Sequence, residues 1–368
     1  MRLLIPIGVV TVTVFQWLGD YWHSKWAVLL ALLSFGVGAQ LGRRTHWSAG
    51  LAFSYLCLGF IWVFAWRDNE FSNFEPLVAT SFESLAASGL TAFLLLTFFM
   101  ADLDEKSRAA LRLGIALSGA CAAIWIAMEF LLGARGNELH GPFSQASMTG
   151  CFLVMALPFS IYSNAKVSRA GLLPIAIAII FITLIDGRAS VPLLGATVCA
   201  VCWFLGSDRI AFFWRVVAVA IVIPLILVAG SFANHDLWNS SGRFEMYRRT
   251  MEWWSDNSLL AWGKGGGTFF IFGGHIQATT QTNASSRMIW LHSDWLQLVF
   301  EHGLIGLTLV TTMLCFALLA AFQKGRKDVV MGLLSYSAMA VVQYPVHLAA
   351  HALVGMFLIS EAFQGRAE

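Results

Sequence analysis

Charge is what this sequence has least of. Asp, Glu, Lys and Arg make up only 12% of its 368 residues, against 58% hydrophobic residues, whereas a soluble domain is about one quarter charged. That deficit excludes a water-soluble enzyme. The net charge is only +2 and no block of like charges forms a basic tail, so nucleic acid is not expected as a partner. Cysteine is also sparse. Cys57, Cys121, Cys151, Cys199, Cys202 and Cys315 all lie in apolar stretches, where they read as small buried hydrophobes and not as a disulfide framework. Cys199 and Cys202 spell C-x-x-C, but within an apolar run that spacing reflects one helix face. No linker, low-complexity tract or internal repeat is visible. The first apolar run lacks a small-residue cleavage site, so an uncleaved first span is expected.

What is present is a succession of apolar runs. A membrane-spanning helix uses ~20 residues, and runs of about that length fall near 3–19, 26–41, 48–66, 84–101, 111–133, 144–163, 170–185, 189–205, 211–232, 295–321, 329–345 and 347–363. They predict an all-α polytopic membrane protein with about twelve transmembrane helices, one transmembrane domain over 1–368. Both termini then share a side. With that side cytoplasmic, the inner segments hold 14 Lys and Arg and the outer ones 9, five of those in one long loop. The bias agrees with the positive-inside rule, which exempts long loops. The expectation is a multi-pass bacterial inner-membrane protein whose loop at about 233–294 faces the periplasm.

That loop contains Trp238, Trp253, Trp254, Trp262 and Trp290, with Trp295 just beyond. Interfacial anchoring explains such residues; flat faces for sugar rings are the other reading. Between Ser240 and Trp254 the residues Phe244, Tyr247, Met251 and Trp254 follow helical spacing, with Ser241 as N-cap. This predicts an amphipathic helix lying on the membrane surface. Arg243 sits in its first turn, where a cation opposes the helix dipole. An anionic ligand would remove that conflict; a snorkelling surface arginine is the alternative. Arg249 has Glu245 four residues before it as a local partner, whereas Arg248 has no such N-terminal partner.

Two further positions stand out. Arg188, in Asp186-Gly187-Arg188-Ala189, occupies a tight outer turn between apolar spans, and charges at membrane depth are functional candidates. An interfacial pair with Asp186 is the plainer reading. His292 stands where the long loop re-enters the membrane, followed by Ser293 and Asp294, with Glu301 about two and a half turns deeper. A neutral imidazole there could accept a hydroxyl proton near neutral pH; a structural histidine is the alternative.

Other patterns fail. Gly263-Lys264-Gly265-Gly266-Gly267 lacks the Ser or Thr after the lysine and the glycine five residues before it that a Walker A loop needs. His347 and His351 lie four apart without a third ligand nearby. No metal and no cofactor are expected.

Taken together, several of these segments resemble the O-antigen ligase and polymerase family, membrane glycosyltransferases that act on undecaprenyl-diphosphate-linked glycans. His292, Ser293, Leu296, Glu301, Gly303 and Gly306 match the family's His, small residue, Leu, then Glu-x-Gly-x-x-Gly. Gly242-Arg243 before an aromatic helix, and Trp262 to Gly267, look like the family's Arg-bearing helix and Gly-rich stretch. Asp186-Gly187-Arg188-Ala189 takes the place of the Ser-Arg-Gly-Ala turn with its order changed. Gly141-Pro142-Phe143 and Gln343-Tyr344-Pro345-Val346-His347 resemble weaker family turns. The likeness covers about 140–350.

The resemblance implies a glycosyltransferase C-type fold and metal-independent, inverting transfer on the periplasmic side. Arg188, Arg243 and Arg248 would hold the donor's diphosphate and His292 would act on the acceptor hydroxyl, with Asp294 and Glu301 in support. It also implies an undecaprenyl-diphosphate-linked oligosaccharide donor, a glycan or lipid A core acceptor, contact with membrane lipids and a chain-length regulator as a further partner. A polysaccharide polymerase is the favoured member, because the lone loop carries no added protein-recognition domain; an O-antigen ligase is the alternative. A lipid-linked glycan flippase is the rival from another class. It would show repeated halves and polar residues at mid-membrane, whereas the unusual residues here gather at one outer face.

Overall fold

A computed structural model describes residues 105–134, 139–143, 146–162, 172–185, 243–255, 261–263, 269, 291–341, 343, 345 and 348–364. The described residues are helical, in seven α-helices. These are α1 (Glu105–Leu131), α2 (Ala146–Ile161), α3 (Leu172–Ile185), α4 (Arg243–Ser255), α5 (Asp294–Gln323), α6 (Lys327–Met339) and α7 (Ala349–Phe363), with a 3-10 turn at Gly141–Phe143 before α2. No strand occurs among them. Six of the apolar runs coincide with α1, α2, α3, α5, α6 and α7. The expected spans before residue 105, and those near 189–205 and 211–232, lie outside the described residues, as does Arg188.

Two stretches, Arg108–Leu131 and Asp294–Gln323, are long and apolar enough to cross a membrane, while Ala146–Ile161 and Ala350–Phe363 are shorter apolar helices. Large apolar side chains stay on the outside of the two long ones: Ile124, Met128 and Leu131 on α1, and Leu304, Phe316 and Leu319 on α5. Water would penalise such surfaces, whereas lipid chains would not. The inward faces of α1, α2, α3, α6 and α7, with the second half of α5, share one apolar core. Small residues let these helices approach closely. A Cβ on Gly119 of α1 would stand 2.7 Å from Ala156 Cβ of α2.

α6 is shorter than the run 329–345 suggested, and hydrogen bonding explains why. The last carbonyls of a helix and the first N–H groups of another both lack intrahelical partners. The last α6 carbonyls are taken by the residues that follow, Ala340 N–H on Tyr336 O and Gln343 N–H on Met339 O, and the carbonyls past the helix serve α5: Asp294 N–H donates to Gln343 O at 3.1 Å and Trp295 N–H to Ala340 O at 3.4 Å. The Trp295 indole adds a bond to Ser337 O at 3.0 Å. The end of α6 is thereby fastened to the start of α5.

The opposite end of α5 is held by charge. Glu361 of α7, 1% exposed, accepts from Arg112 Nε at 3.2 Å and Arg112 Nη2 at 2.5 Å, and from Arg326 Nη2. Arg112 Nη1 also pairs with Asp328 at 3.2 Å. Lys324 Nζ donates to the carbonyls of Ala362, Phe363 and Gln364 at 3.1, 2.7 and 2.8 Å, capping the negative end of α7. Burial lowers the pKa of this lysine and the Glu361 carboxylate opposes the shift. Arg112, Lys324 and Arg326 thus meet at one end of the bundle.

Candidate functional site

α4 and the first turns of α5 form a second, smaller apolar cluster. Met246 and Trp254 of α4 are buried with Phe269, Leu291, Val299 and Phe300, and Tyr247 and Met251 pack against them. Thr250 is buried on the same face and returns its hydroxyl to Met246 O at 2.7 Å. The helix expected between Ser240 and Trp254 is therefore present as Arg243–Ser255. Tyr247, Met251 and Trp254 of its apolar stripe pack against the protein, and the side chain of Phe244 lies outside the described residues. Ser241 lies outside the described residues, as does the side chain of Arg243, the residue that opens α4.

One bond joins this helix to the histidine. Tyr247 Oη donates to His292 O at 2.9 Å, and Arg243 begins α4 one turn before Tyr247. His292 itself has φ +55°, the one positive φ at a non-glycine position among the described residues. That left-handed conformation is uncommon for a side-chain-bearing residue and costs on the order of 1 kcal/mol. It turns the chain between two buried neighbours, Leu291 at 0% and Ser293 at 1% exposure, while His292 remains partly exposed. Ser293 then caps α5, its hydroxyl accepting from Leu296 N–H at 3.3 Å. Asp294 adds an acid to the first turn, where it complements the dipole.

Glu301 has a different task. It is 5% exposed, and its Oε1 accepts from Gln297 Nε2 at 3.1 Å and from Phe269 N–H at 3.3 Å. Gln297 Oε1 in turn accepts from Leu291 N–H at 3.2 Å. The chain of bonds runs from the backbone beside His292 to the far side of the Gly-rich stretch. Nine residues of helix put Glu301 roughly 13 Å from His292 along the axis, where it holds the loop at Phe269.

The Gly-rich stretch meets α5 backbone to backbone. Gly303 has φ +61° and ψ −163°, which breaks the helix. At the break Ile305 N–H donates to Ala261 O at 3.1 Å, where an unbroken helix would use Glu301 O. A Cβ on Gly303 would stand 2.3 Å from Ala261 O, and one on Gly263 would stand 2.5 Å from Glu301 O. Gly263 and Gly303 are thus where the loop docks, and only hydrogen fits on either Cα.

Arg248 is exposed and its Nη1 is bonded to Glu252 on the same helix. The sequence contained that partner four residues C-terminal, the spacing of a helix pair; only the N-terminal direction suggested a lack. His351 is fully buried, its Nε2 on Met148 O at 3.0 Å and its ring between Phe143 and Phe152. His347 lies outside the described residues.

Several polar groups have surroundings that the sequence did not reveal. The Gln343 amide is 2% exposed with neither its oxygen nor its nitrogen hydrogen-bonded, and the buried Tyr336 hydroxyl is likewise open. Gly355 of α7 leaves room for that phenol, since a Cβ there would stand 3.1 Å from its oxygen. Glu129 accepts from the Trp125 indole at 2.9 Å and from His140 and Gly141 N–H at 2.9 and 2.8 Å, which fixes the turn into α2. An acid inside an apolar run was its only sequence signal. No protein-family model matches the chain, and no curated protein matches it.

Proposed function

We propose that this chain is a membrane glycosyltransferase that moves a glycan from a polyprenyl-diphosphate carrier to a sugar hydroxyl. The observation that carries the reading is the bond from Tyr247 to His292 O. It ties a helix opened by Arg243 to a histidine held in a strained, partly exposed turn at the head of an apolar helix. A cation that stabilises a leaving diphosphate and a base for the incoming hydroxyl are what such a transfer needs.

In this reading the acceptor oxygen attacks the anomeric carbon as the bond to the diphosphate oxygen breaks, inverting the centre. The hydroxyl proton passes to the His292 imidazole. Arg243, with Arg188 and Arg248, balances the charge on the departing undecaprenyl diphosphate, and no metal takes part. The wider frame is twelve spans of the glycosyltransferase C type in a bacterial inner membrane. Both termini are cytoplasmic and the loop at 233–294 is periplasmic. A polysaccharide polymerase is favoured over a ligase that uses lipid A core, and a chain-length regulator is a natural partner of a polymerase.

The test is to incubate purified protein with native lipid-linked repeat, with and without lipid A core, beside Arg243→Ala. Lengthening without core identifies a polymerase and transfer to core a ligase. Translocation of the substrate without new glycosidic bonds would replace the enzyme reading with a flippase.

A further inference from the structure

The cations at the far end of α5 are not all neutralised. Arg112 and Arg326 are matched by Glu361 and Asp328, which closes a balanced quartet. Lys324 spends its three donors on carbonyls, leaving its charge without a carboxylate ligand. Arg108 stands one turn before Arg112 on α1. It feels the Glu361 charge, yet its Nε is buried without a hydrogen-bond partner. Glu105, three residues earlier, is exposed and forms no ion pair with it. Two like charges at this spacing on one helix are mutually unfavourable, and a guanidinium with open donors is a cost unless something accepts from it.

We infer that Arg108, the outer edge of Arg112 and Lys324 form a binding site for a phosphate group, and that the group is the headgroup of an anionic membrane phospholipid. A phosphodiester supplies acceptor oxygens only, which suits the half-buried Arg108 guanidinium and the exposed edge of Arg112, while Lys324, its donors already used, adds charge alone. Arg112 is 33% exposed and so reachable. The lipid source follows from the apolar surface beside the charges. Leu319 and Phe316, 51% and 49% exposed, lie between one and about two turns before Lys324 on α5, where an acyl chain would run along them. The site lies at the end of α5 away from His292, some 45 Å of helix distant at 1.5 Å per residue, and is independent of the glycosyl-transfer proposal.

The experiment uses the full-length protein in phosphatidylcholine, alone or with phosphatidylglycerol, with a third arm of phosphatidylcholine plus inorganic phosphate. Thermal unfolding is followed, and lipid retained through purification in neutral detergent is identified by mass spectrometry. Phosphatidylglycerol should be retained and raise the unfolding temperature. Arg108→Gln should weaken its retention about fivefold, and Arg108→Lys should restore most of it. Equal retention by wild type and Arg108→Gln would overturn the site. A full temperature rise from inorganic phosphate alone would overturn the lipid assignment in favour of a soluble anion. Should Arg108→Gln fail to fold, the wild-type comparison still decides: the same unfolding temperature in both lipids contradicts the proposal.

Discussion

The Tyr247 hydroxyl and the His292 carbonyl lie 2.9 Å apart, and this bond is what couples the arginine-bearing helix to the head of α5. It holds the carbonyl of a residue whose φ of +55° has little else in local preference to keep it there. Removing it should therefore loosen the histidine before it loosens the fold. Tyr247→Phe keeps the ring in its apolar cluster and loses only the donor. We predict a loss of about 1 kcal/mol in stability and a larger proportional fall in turnover, read by thermal unfolding and by glycan transfer on the same preparation.

Glycine is required at the loop crossing. Gly303→Ala would combine a positive φ with a Cβ 2.3 Å from a carbonyl oxygen, and backbone, unlike a side chain, cannot swing aside. The expected cost is at least ~3 kcal/mol, seen as a sharp drop in unfolding temperature. Gly133→Ala, also at positive φ but with open space around it, should cost ~1 kcal/mol, because strain acts there without collision.

Glu301 separates positioning from chemistry. Glu301→Gln keeps an oxygen that can accept from Gln297 and Phe269, so the loop should stay in place with most of the activity. Glu301→Ala leaves two buried donors open at about 1–3 kcal/mol each. Thermal unfolding of the two variants measures the difference, and a clear fall in the alanine variant alone is the expected result.

At the other end of α5, Glu361→Leu would strip Arg112 and Arg326 of their shared carboxylate. Breaking such a pair costs about 3 kcal/mol, with Arg112 contributing less because it reaches solvent. Glu361→Gln should be milder, since its amide oxygen still accepts. Unfolding of the three proteins in one detergent gives the order wild type, Gln, Leu.

The helices were legible because apolar runs need no partner to be recognised, and α1, α2, α3, α5, α6 and α7 fall where those runs predict. The end of α6 was not legible. The residues just past it, Ala340 and Gln343, give their carbonyls to the N–H groups of Trp295 and Asp294, a contact between segments some 45 residues apart in sequence. The glycines at 263 and 303 were visible as a pattern, but their function as mutual backbone neighbours was not, because spacing carries no information about which loop crosses which helix. Arg248 shows a narrower failure: a pairing rule applied in one direction overlooked Glu252. Tyr336 gave no signal, since a phenol within an apolar run looks the same whether partnered or open, and Gln343 stood out only as the first residue of a family-like turn.

The central claim is that His292 serves transfer from a diphosphate carrier, and release of free polyprenyl diphosphate measured together with glycan length tests it most directly. Wild-type protein should release one lipid diphosphate for each glycosidic bond formed, and His292→Ala should slow both together by at least about a hundredfold while its unfolding temperature stays near that of wild type. Transfer by His292→Ala at the wild-type rate would contradict the account.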